Sequence, residues 1–343
     1  MWNEFRFALR TLRRSRGVAG VAVLSLALGI GANMAISSLI YQVAVRGLPV
    51  ANPERLVVLE SDPYNAFSKP MYEALRDRNQ SLSGLIARMS FPATLAYHGP
   101  ASSVQAEVVS GNFFGVLGVR PALGRLLMPA DDRNGSEPAI VLSHAYWKSK
   151  LGGDAAVLNS RVLLNARPVI VVGVAPPGFR GLLPGNNPDF FAPLSMTRLI
   201  NPAWSHDSQV DSYWLNVFGS LKPGVAERRA DAELLPLYRS ILEDELPLFS
   251  GVTREARARI LGKTLRVMPA AQGLSGLRQQ WQTPLVVLMA MTGLVLLIAC
   301  ANVANLILAK AAAGSARSPY GWPSEPPAIT CFGKYWRRAW CWR

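Results

Sequence analysis

The residues that could do chemistry begin with Ser143 and His144, which are adjacent in the chain. A serine nucleophile needs a histidine base that meets it in space and an acid that orients that histidine. Sequence neighbours rarely supply this geometry, so the pair does not predict a catalytic site. His98 and His206 stand alone in polar sequence, where a solvated or locally hydrogen-bonded imidazole is expected rather than a metal ligand.

Two further patterns could bind a ligand. Asp131 and Asp132 could hold a cation, but no EF-hand spacing extends from them, and such a pair is typical of a turn or helix cap. The stretch GNFFGVLGVRPALG (111–124) lacks G-x-x-x-x-G-K-[ST], and no strand–GxGxxG–helix pattern surrounds it. Its glycines therefore predict tight turns. The sequence predicts no catalytic residue, no cofactor and no metal site.

One apolar run, from Pro284 to Ala309, has twenty-six residues without a charge and ends before Lys310. About twenty apolar residues cross the hydrocarbon core of a bilayer, so residues 283–310 are predicted to be a transmembrane helix. A buried helix of a large soluble protein is the alternative, but it seldom stays uncharged for so long. The amides Asn302 and Asn305, with nearby alanines, predict a face that packs against another helix.

The N-terminus predicts a second membrane element. Residues 1–16 place apolar side chains at helical spacing against Arg6, Arg10, Arg13 and Arg14, which favours an amphipathic helix at the inner membrane surface. Residues 17–46 follow as a predicted transmembrane helix, because their uncharged run is far longer than the apolar core of a signal peptide. Gly29, Gly31 and Asn33 are its predicted helix-packing residues.

Charge supports a cytoplasmic N-terminus. The net charge is +14, and residues 1–16 and 314–343 contribute +4 each. Basic residues beside apolar spans follow the positive-inside rule, although Arg46 at the outer end is a mild contrary charge. The excess charge therefore predicts no nucleic-acid partner. The intervening region 47–282 has no cysteine, so it needs no disulfide in an oxidising compartment.

That region predicts a mixed domain outside the membrane, long enough for one large or two small cores. Short interleaved runs favour α+β architecture over a doubly wound sheet. Strands are predicted at 55–59, 106–109, 139–142, 169–174 and 265–268, and helices at 70–77 and 227–246.

Several motifs, taken together and in order, resemble the MacB-like periplasmic core domain. They are VSGNFFGVLGVRPALGR, AIVLSHAYWKSKLGGD, VLLNARPVIVVGVAPPGFRG and PDFFAPL. The runs LSLALGIGANMAISSLIYQVAVRGLPV and LLIACANVANLILAKAAA resemble the first transmembrane helix and the start of the FtsX-like permease domain of MacB-type ABC transporters. The chain resembles the duplicated permeases of acidobacteria in particular, and the resemblance spans roughly residues 5–313.

The resemblance implies a porter-like part with an inserted lobe within about residues 120–210, held between two transmembrane helices. It further implies a multi-pass protein of the bacterial inner membrane with a periplasmic domain. Because the chain has no P-loop, a separate cytoplasmic ABC ATPase would bind ATP and drive efflux or mechanotransmission. The other expected partners are further permease helices or a homodimer partner, and the lipid bilayer. The alternative is a membrane-anchored periplasmic binding or scaffold protein without transport activity.

The tail 311–343 departs from this pattern, because it is rich in Trp, Pro and Arg and has no periodicity. Its codons, read one base earlier, can give REIAVRLALGAS, which resembles the segment by which such permeases meet their ATPase. We therefore predict a frameshift after Ala313. The resulting fragment lacks the ATPase contact segment and is expected not to support transport alone.

Overall fold

The computed structural model of the protein describes residues 27, 29–31, 33–35, 38, 48–62, 65–183, 185–204, 206–249, 253–271, 273, 287–298, 300–301, 304–305 and 308. Its described residues fall into two compact units. Those from 38 to 285 form the α+β unit, and those before and after form the helical unit. The predicted amphipathic helix 1–16 and the tail 311–343 lie outside the described residues.

Within the described residues, the α+β unit contains a ten-stranded mixed sheet and six α-helices. The strands are β1 (Leu56–Ser61), β2 (Leu82–Ala96), β3 (Ser102–Val109), β4 (Leu123–Gly124), β5 (Ala139–Leu142), β6 (Arg161–Leu164), β7 (Arg167–Val174), β8 (Phe190–Pro193), β9 (Asn216–Leu221) and β10 (Leu265–Pro269). The helices are α1 (Lys69–Arg78), α2 (Phe113–Leu117), α3 (His144–Lys150), α4 (Thr197–Ile200), α5 (Glu227–Glu245) and α6 (Arg254–Leu261).

One half of the sheet is antiparallel, in the order β10-β1-β9-β2. Alternate side chains of β1 are buried on its two faces, so both faces are covered. Val57 and Leu59 pack in the same cluster as the apolar faces of α1 and α5. Leu56 and Val58 pack in a second cluster with the phenylalanines of α2.

The other half closes on itself. β2 pairs with β3, β3 with β8, β8 with β5, β5 with β7, β7 with β6, and β6 returns to β2. Six strands thus form a closed ring, which is a small barrel. Along β2, Phe91, Ala93 and Leu95 are buried whereas Pro92 and Thr94 are exposed, as expected of a strand with one face inside a barrel.

Local sequence explains where α1 begins and ends. The Ser68 hydroxyl accepts a hydrogen bond from the amide of Met71 at 3.2 Å, and Pro70 occupies the first turn, where no amide donor is needed. At the other end, the Asn79 side chain donates to the carbonyl of Leu75 at 3.0 Å. The buried face consists of Met71, Tyr72 and Leu75. These caps satisfy backbone groups that would otherwise be unpaired at the helix ends.

The predicted α+β fold is confirmed, and each strand and helix predicted in this region coincides with an observed element. The sequence did not predict β2, β4, β6, β8 or β9. Residues 123–193 supply β4 to β8, which includes four of the six ring strands. The division into a porter-like part and an inserted lobe stays a prediction.

Candidate functional site

Ser143 and His144 have structural positions. Ser143 is the N-cap of α3, and its hydroxyl accepts a hydrogen bond from the amide of Tyr146 at 3.2 Å. The His144 ring lies edge-on to Trp147, with ring centroids 5.5 Å apart. The serine oxygen therefore satisfies a helix end.

Asp131 and Asp132 hold loops together. The Asp131 carboxylate accepts two hydrogen bonds from the Arg125 guanidinium, at 2.7 and 2.8 Å. Asp132 accepts from the backbone amides of Gly111 at 3.0 Å and Ser195 at 2.8 Å. Burial would raise the pKa of Asp131, but the hydrogen bonds from Arg125 and a backbone amide lower it below its usual value. Burial raises the pKa of Asp132 despite its two amide donors.

The glycine-rich stretch contains close backbone approaches. A Cβ on Gly111 would lie 2.8 Å from Asp132 Cβ and from Pro129 Cα, so a larger residue would displace this loop. Gly118 has φ +64° and ends α2, in a conformation that L residues rarely adopt. These positions agree with the turn interpretation of the stretch.

A buried ion pair joins two neighbouring strands of the ring. Arg88 of β2 and Glu107 of β3 are 2% and 0% exposed, and Arg88 Nε donates to Glu107 Oε1 at 3.2 Å. The same guanidinium also donates to Asn216 Oδ1 at 3.1 Å and to the Ser90 hydroxyl. Burial raises the pKa of Glu107, and the neighbouring Arg88 opposes that rise.

The network around this pair extends into a loop. Asn186 donates to the Ser90 hydroxyl at 2.6 Å and to Glu107 Oε2 at 3.5 Å. A Cβ on Gly181 would lie 2.8 Å from the same carboxylate oxygen, so only glycine leaves room there. Sequence reasoning missed this network, although a charged residue inside the apolar runs LIAR and AEVV was an available signal.

The predicted packing residues Gly29 and Asn33 lie where the two helical segments contact each other. A Cβ on Gly29 would be 2.8 Å from Leu296 Cδ1, so the glycine permits the close approach. The Thr292 hydroxyl donates to Asn33 Oδ1 at 2.8 Å. Gly29 meets Leu296 while Asn33 meets Thr292, so the two segments run antiparallel. Gly29 and Asn33 are about one helical turn apart on the first segment, and Thr292 and Leu296 are about one turn apart on the second.

The other predicted packing residues lie elsewhere. Gly31 and Asn305 are exposed, and an added Cβ on Gly31 would meet nothing within 4 Å. Asn302 lies outside the described residues. Thr292 was missed as a contact residue, because a threonine hydroxyl in a helix usually bonds its own backbone. Here it also lies 3.0 Å from the Leu288 carbonyl oxygen.

Large apolar side chains project outward from both helical segments. Met34, Leu297 and Leu308 are 70%, 66% and 67% exposed. Such a surface is typical of a site that contacts a lipid or protein partner. Among the described residues, no helix combines the length and the apolarity needed to cross a membrane.

The α+β unit begins and ends at one place. The amide of Leu48 donates to the carbonyl of Ala271 at 3.1 Å, and Ala270 donates to Leu56 at 2.8 Å. The incoming chain is also fastened to α2, since the amide of Ala51 donates to the Leu117 carbonyl at 3.0 Å. The helix contact and this junction of the chain ends are the candidate functional sites of their respective units.

Comparison with known proteins identifies a family for this chain. The model of a family described as "MacB-like periplasmic core domain" matches residues 19–237. None of the curated proteins that were compared with the chain matches it.

Solved structures resemble the chain at low identity. A domain of a proposed permease protein from Porphyromonas gingivalis has a TM-score of 0.47 at 13% identity, covering 67% of this chain and 97% of that one. The periplasmic region of MacB from Actinobacillus actinomycetemcomitans has a TM-score of 0.47 at 15% identity, covering 72% and 97%. The extracellular domain of the ABC-type transporter YknZ from Gram-positive bacteria has a TM-score of 0.43 at 16% identity, covering 62% and 99%.

Proposed function

Since the chain belongs to the family of the MacB-like periplasmic core domain, which is part of ABC-type transporter permeases, we propose that it is a permease subunit or a fragment of one. In this proposal residues 17–46 and 283–310 are transmembrane helices of the bacterial inner membrane, and the α+β unit is periplasmic. A separate cytoplasmic ATPase would supply the energy for efflux or mechanotransmission. The contact between the helical segments is the observation that carries the proposal.

That contact has the chemistry of a helix pair in lipid. Apolar side chains face outward, while a glycine and a polar pair lie between the segments. In a bilayer the apolar effect does not drive helices together, so small residues and interhelical hydrogen bonds do so instead. An interhelical hydrogen bond of this kind contributes about 0.6 kcal/mol on average.

The junction of the chain ends supports a mechanical role. Leu48 and Ala271 are joined by a backbone hydrogen bond, and Ala51 is joined to α2. A displacement of either linker would therefore reach β1, β10 and α2 together. We propose that the α+β unit has two conformations favoured by different positions of the linkers, which is the requirement for coupling between distant sites.

The membrane arrangement is tested by labelling single cysteines in a variant without native cysteines. Ser102→Cys, at an exposed position of the α+β unit, should react with a membrane-impermeant maleimide in intact spheroplasts. Ser15→Cys, in the N-terminal basic segment, should react only after the membrane is opened. Equal labelling of both cysteines in intact spheroplasts would contradict the proposed arrangement.

The permease role is tested by expressing the chain alone and with candidate ATPase subunits. We expect no ATPase-dependent efflux from the chain alone, because its sequence has no G-x-x-x-x-G-K-[ST] motif that could bind ATP. Efflux gained without an added ATPase subunit would contradict the proposed need for a separate ATPase. If the protein encoded after correction of the predicted frameshift also retains no ATPase during purification, a membrane-anchored binding or scaffold protein becomes the better interpretation.

A further inference from the structure

Glu245, the last residue of α5, is a buried acid with an unpaired oxygen. The residue is 6% exposed, and its Oε2 atom has no hydrogen-bond partner among the described residues. A buried ionised carboxylate without hydrogen-bond donors is strongly unfavourable, whereas the protonated acid is tolerated much better. This position therefore favours the neutral form.

Lys263, the cation whose charge lowers the pKa of Glu245, is directed toward an aromatic ring instead. Lys263 lies in the turn between α6 and β10, and its Nζ atom is 3.7 Å from the centroid of the Tyr213 ring. Among the described residues, Lys263 forms no ion pair within 4.0 Å of a carboxylate. The Tyr213 hydroxyl is also buried, and it has no hydrogen-bond partner among the residues that the structure describes.

Other titratable and charged groups beside this cluster belong to α5 and to the loop before β9. Asp244 precedes Glu245 on α5 and is held by Arg78 of α1 at 3.1 Å. Tyr238, also on α5, bonds through its hydroxyl to Ser61 of β1 at 2.8 Å. Asp211 acts on Tyr213 from the preceding loop. Lys263 is thus the cation that opposes the ionisation cost of Glu245.

We propose that Glu245, Lys263 and Tyr213 form a pH-operated switch in the α+β unit. While Glu245 is protonated, the Lys263 ammonium stays on the face of the Tyr213 ring. When Glu245 ionises, Lys263 leaves the ring and pairs with the new carboxylate, because a buried charge needs a partner. No bond is made or broken other than the loss of the carboxyl proton to solvent.

The electrostatics of the cluster agree with this geometry. Burial raises the pKa of Glu245 to about 7, with Lys263 lowering it and Asp244 raising it. Burial lowers the pKa of Lys263, and Glu245 raises it. The exchange would therefore occur near neutral pH. It would move the turn that leads into β10, and β10 ends beside the junction of Leu48 and Ala271.

The experiment is a pH titration of the full chain in detergent micelles, with ring-labelled tyrosine observed by NMR. Tyr213→Phe identifies the Tyr213 signal. We expect this signal to shift with a midpoint near pH 7, because the lysine leaves the ring. Glu245→Gln, which mimics the protonated acid in shape, should abolish the shift. Glu243→Gln, at an exposed position of the same helix, should leave it intact.

Lys263→Met provides an independent test. It should remove the Tyr213 shift while the ionisation of Glu245 remains visible as loss of a carboxylic-acid carbonyl band in infrared difference spectra. The proposal is overturned if the Tyr213 signal does not move between about pH 5 and about pH 9, a range that brackets the Glu245 pKa. It is equally overturned if the shift persists in Glu245→Gln or in Lys263→Met.

Discussion

At the scale of single residues, the pair of Arg88 and Glu107 shows how buried charge is tolerated. Both side chains are buried, and the guanidinium also bonds Ser90 and Asn216. Removing one partner of such a pair leaves the other charge without compensation, whereas replacing both with apolar residues is often neutral. The loss of one partner should therefore destabilise this region more than the replacement of both partners by apolar residues.

We expect Glu107→Leu to lower the free energy of unfolding by about 3–5 kcal/mol, because Arg88 stays buried and unpaired. Adding Arg88→Met should recover most of the loss. The exposed pair Arg76 and Asp77 is the control, since its disruption should cost no more than about 1 kcal/mol. Denaturant unfolding of the full chain compares Glu107→Leu, Arg88→Met, the double variant and a variant of the exposed pair, and additive effects in the double variant would contradict the argument.

Glu245 makes stability depend on pH. Its pKa is about 7 in the folded protein against an ordinary 4.5. Between these two pH values the folded protein keeps the Glu245 proton, whereas the unfolded chain loses it. The stabilisation is complete below about pH 4.5 and is lost as pH rises through about 7. Relative to Glu245→Gln, the protein should lose at most about 3 kcal/mol, measured by denaturant unfolding across this range. Parallel pH profiles for the two proteins would contradict the raised pKa.

Residue types alone indicated only part of these contacts. Asn33 was predicted as a helix-packing residue, but nothing in the sequence specified Thr292 as its partner. Ser143 caps α3, and Asp131 accepts hydrogen bonds within a loop, as the usual preference of serine and aspartate for caps and turns predicts. Arg88 and Glu107 are nineteen positions apart, and their meeting depends on the register of β2 against β3.

At the scale of elements, close approaches between strands fix several glycines. A Cβ on Gly173 of β7 would overlap the carbonyl oxygen of Arg125, just after β4. Gly115 in α2 is exposed and has nothing within 4 Å of an added Cβ. The two glycines therefore have opposite reasons to be small.

Gly173→Ala should lower the free energy of unfolding by about 1–3 kcal/mol, because β4 must move away from β7. Gly115→Ala should leave it unchanged or raise it by about 0.5–1 kcal/mol, because alanine favours the helix. Thermal or denaturant unfolding compares the two variants. Equal changes in the free energy of unfolding would show that the close approach of β4 to β7 does not set the cost of a side chain at Gly173.

In the helical unit, Gly29→Val should weaken the contact between the two segments, because the added side chain would overlap Leu296. Gly31→Val is the matched control, since that position is open. The readout is the disulfide yield of Asn33→Cys with Thr292→Cys in a background without native cysteines. A similar loss of yield in both variants would mean that Gly29 has no special place in the contact.

The elements themselves were predictable where one physical signal dominated. Ala139–Leu142 and Glu227–Glu245 were visible as a compact apolar run and an amphipathic, charge-rich helix. β2 was not, because Pro92 and Gly84 interrupt its fifteen residues. Its first part pairs with β9 and its second with β6, so tertiary pairing overrides the local signal.

At the scale of the whole molecule, the α+β unit has its own buried cores and is a separate compact unit. We expect residues 47–282, expressed without the helical unit, to unfold at the same denaturant concentration as the corresponding residues of the full chain. Hydrogen exchange of β1 and β9 measures both. A fragment whose strand amides exchange freely would show that folding requires the helical segments.

The order of strands was beyond the reach of sequence reasoning. The parallel pairing of β3 with β8 joins Ala106 to Phe190, across more than eighty residues. No local pattern specifies such a partner. The ring is closed by β6, which pairs with β2 and β7 over no more than four residues each. The α+β class, by contrast, follows from the short alternating runs.

The hydrogen bond between Leu48 and Ala271 means that the α+β unit can be cut and rejoined without stretching it. A short peptide could connect these two residues, and new termini could then be opened at an exposed turn such as Gly99. The same closeness makes residues 48–271 suitable for transplantation into a surface hairpin of an unrelated host, with little strain on either protein.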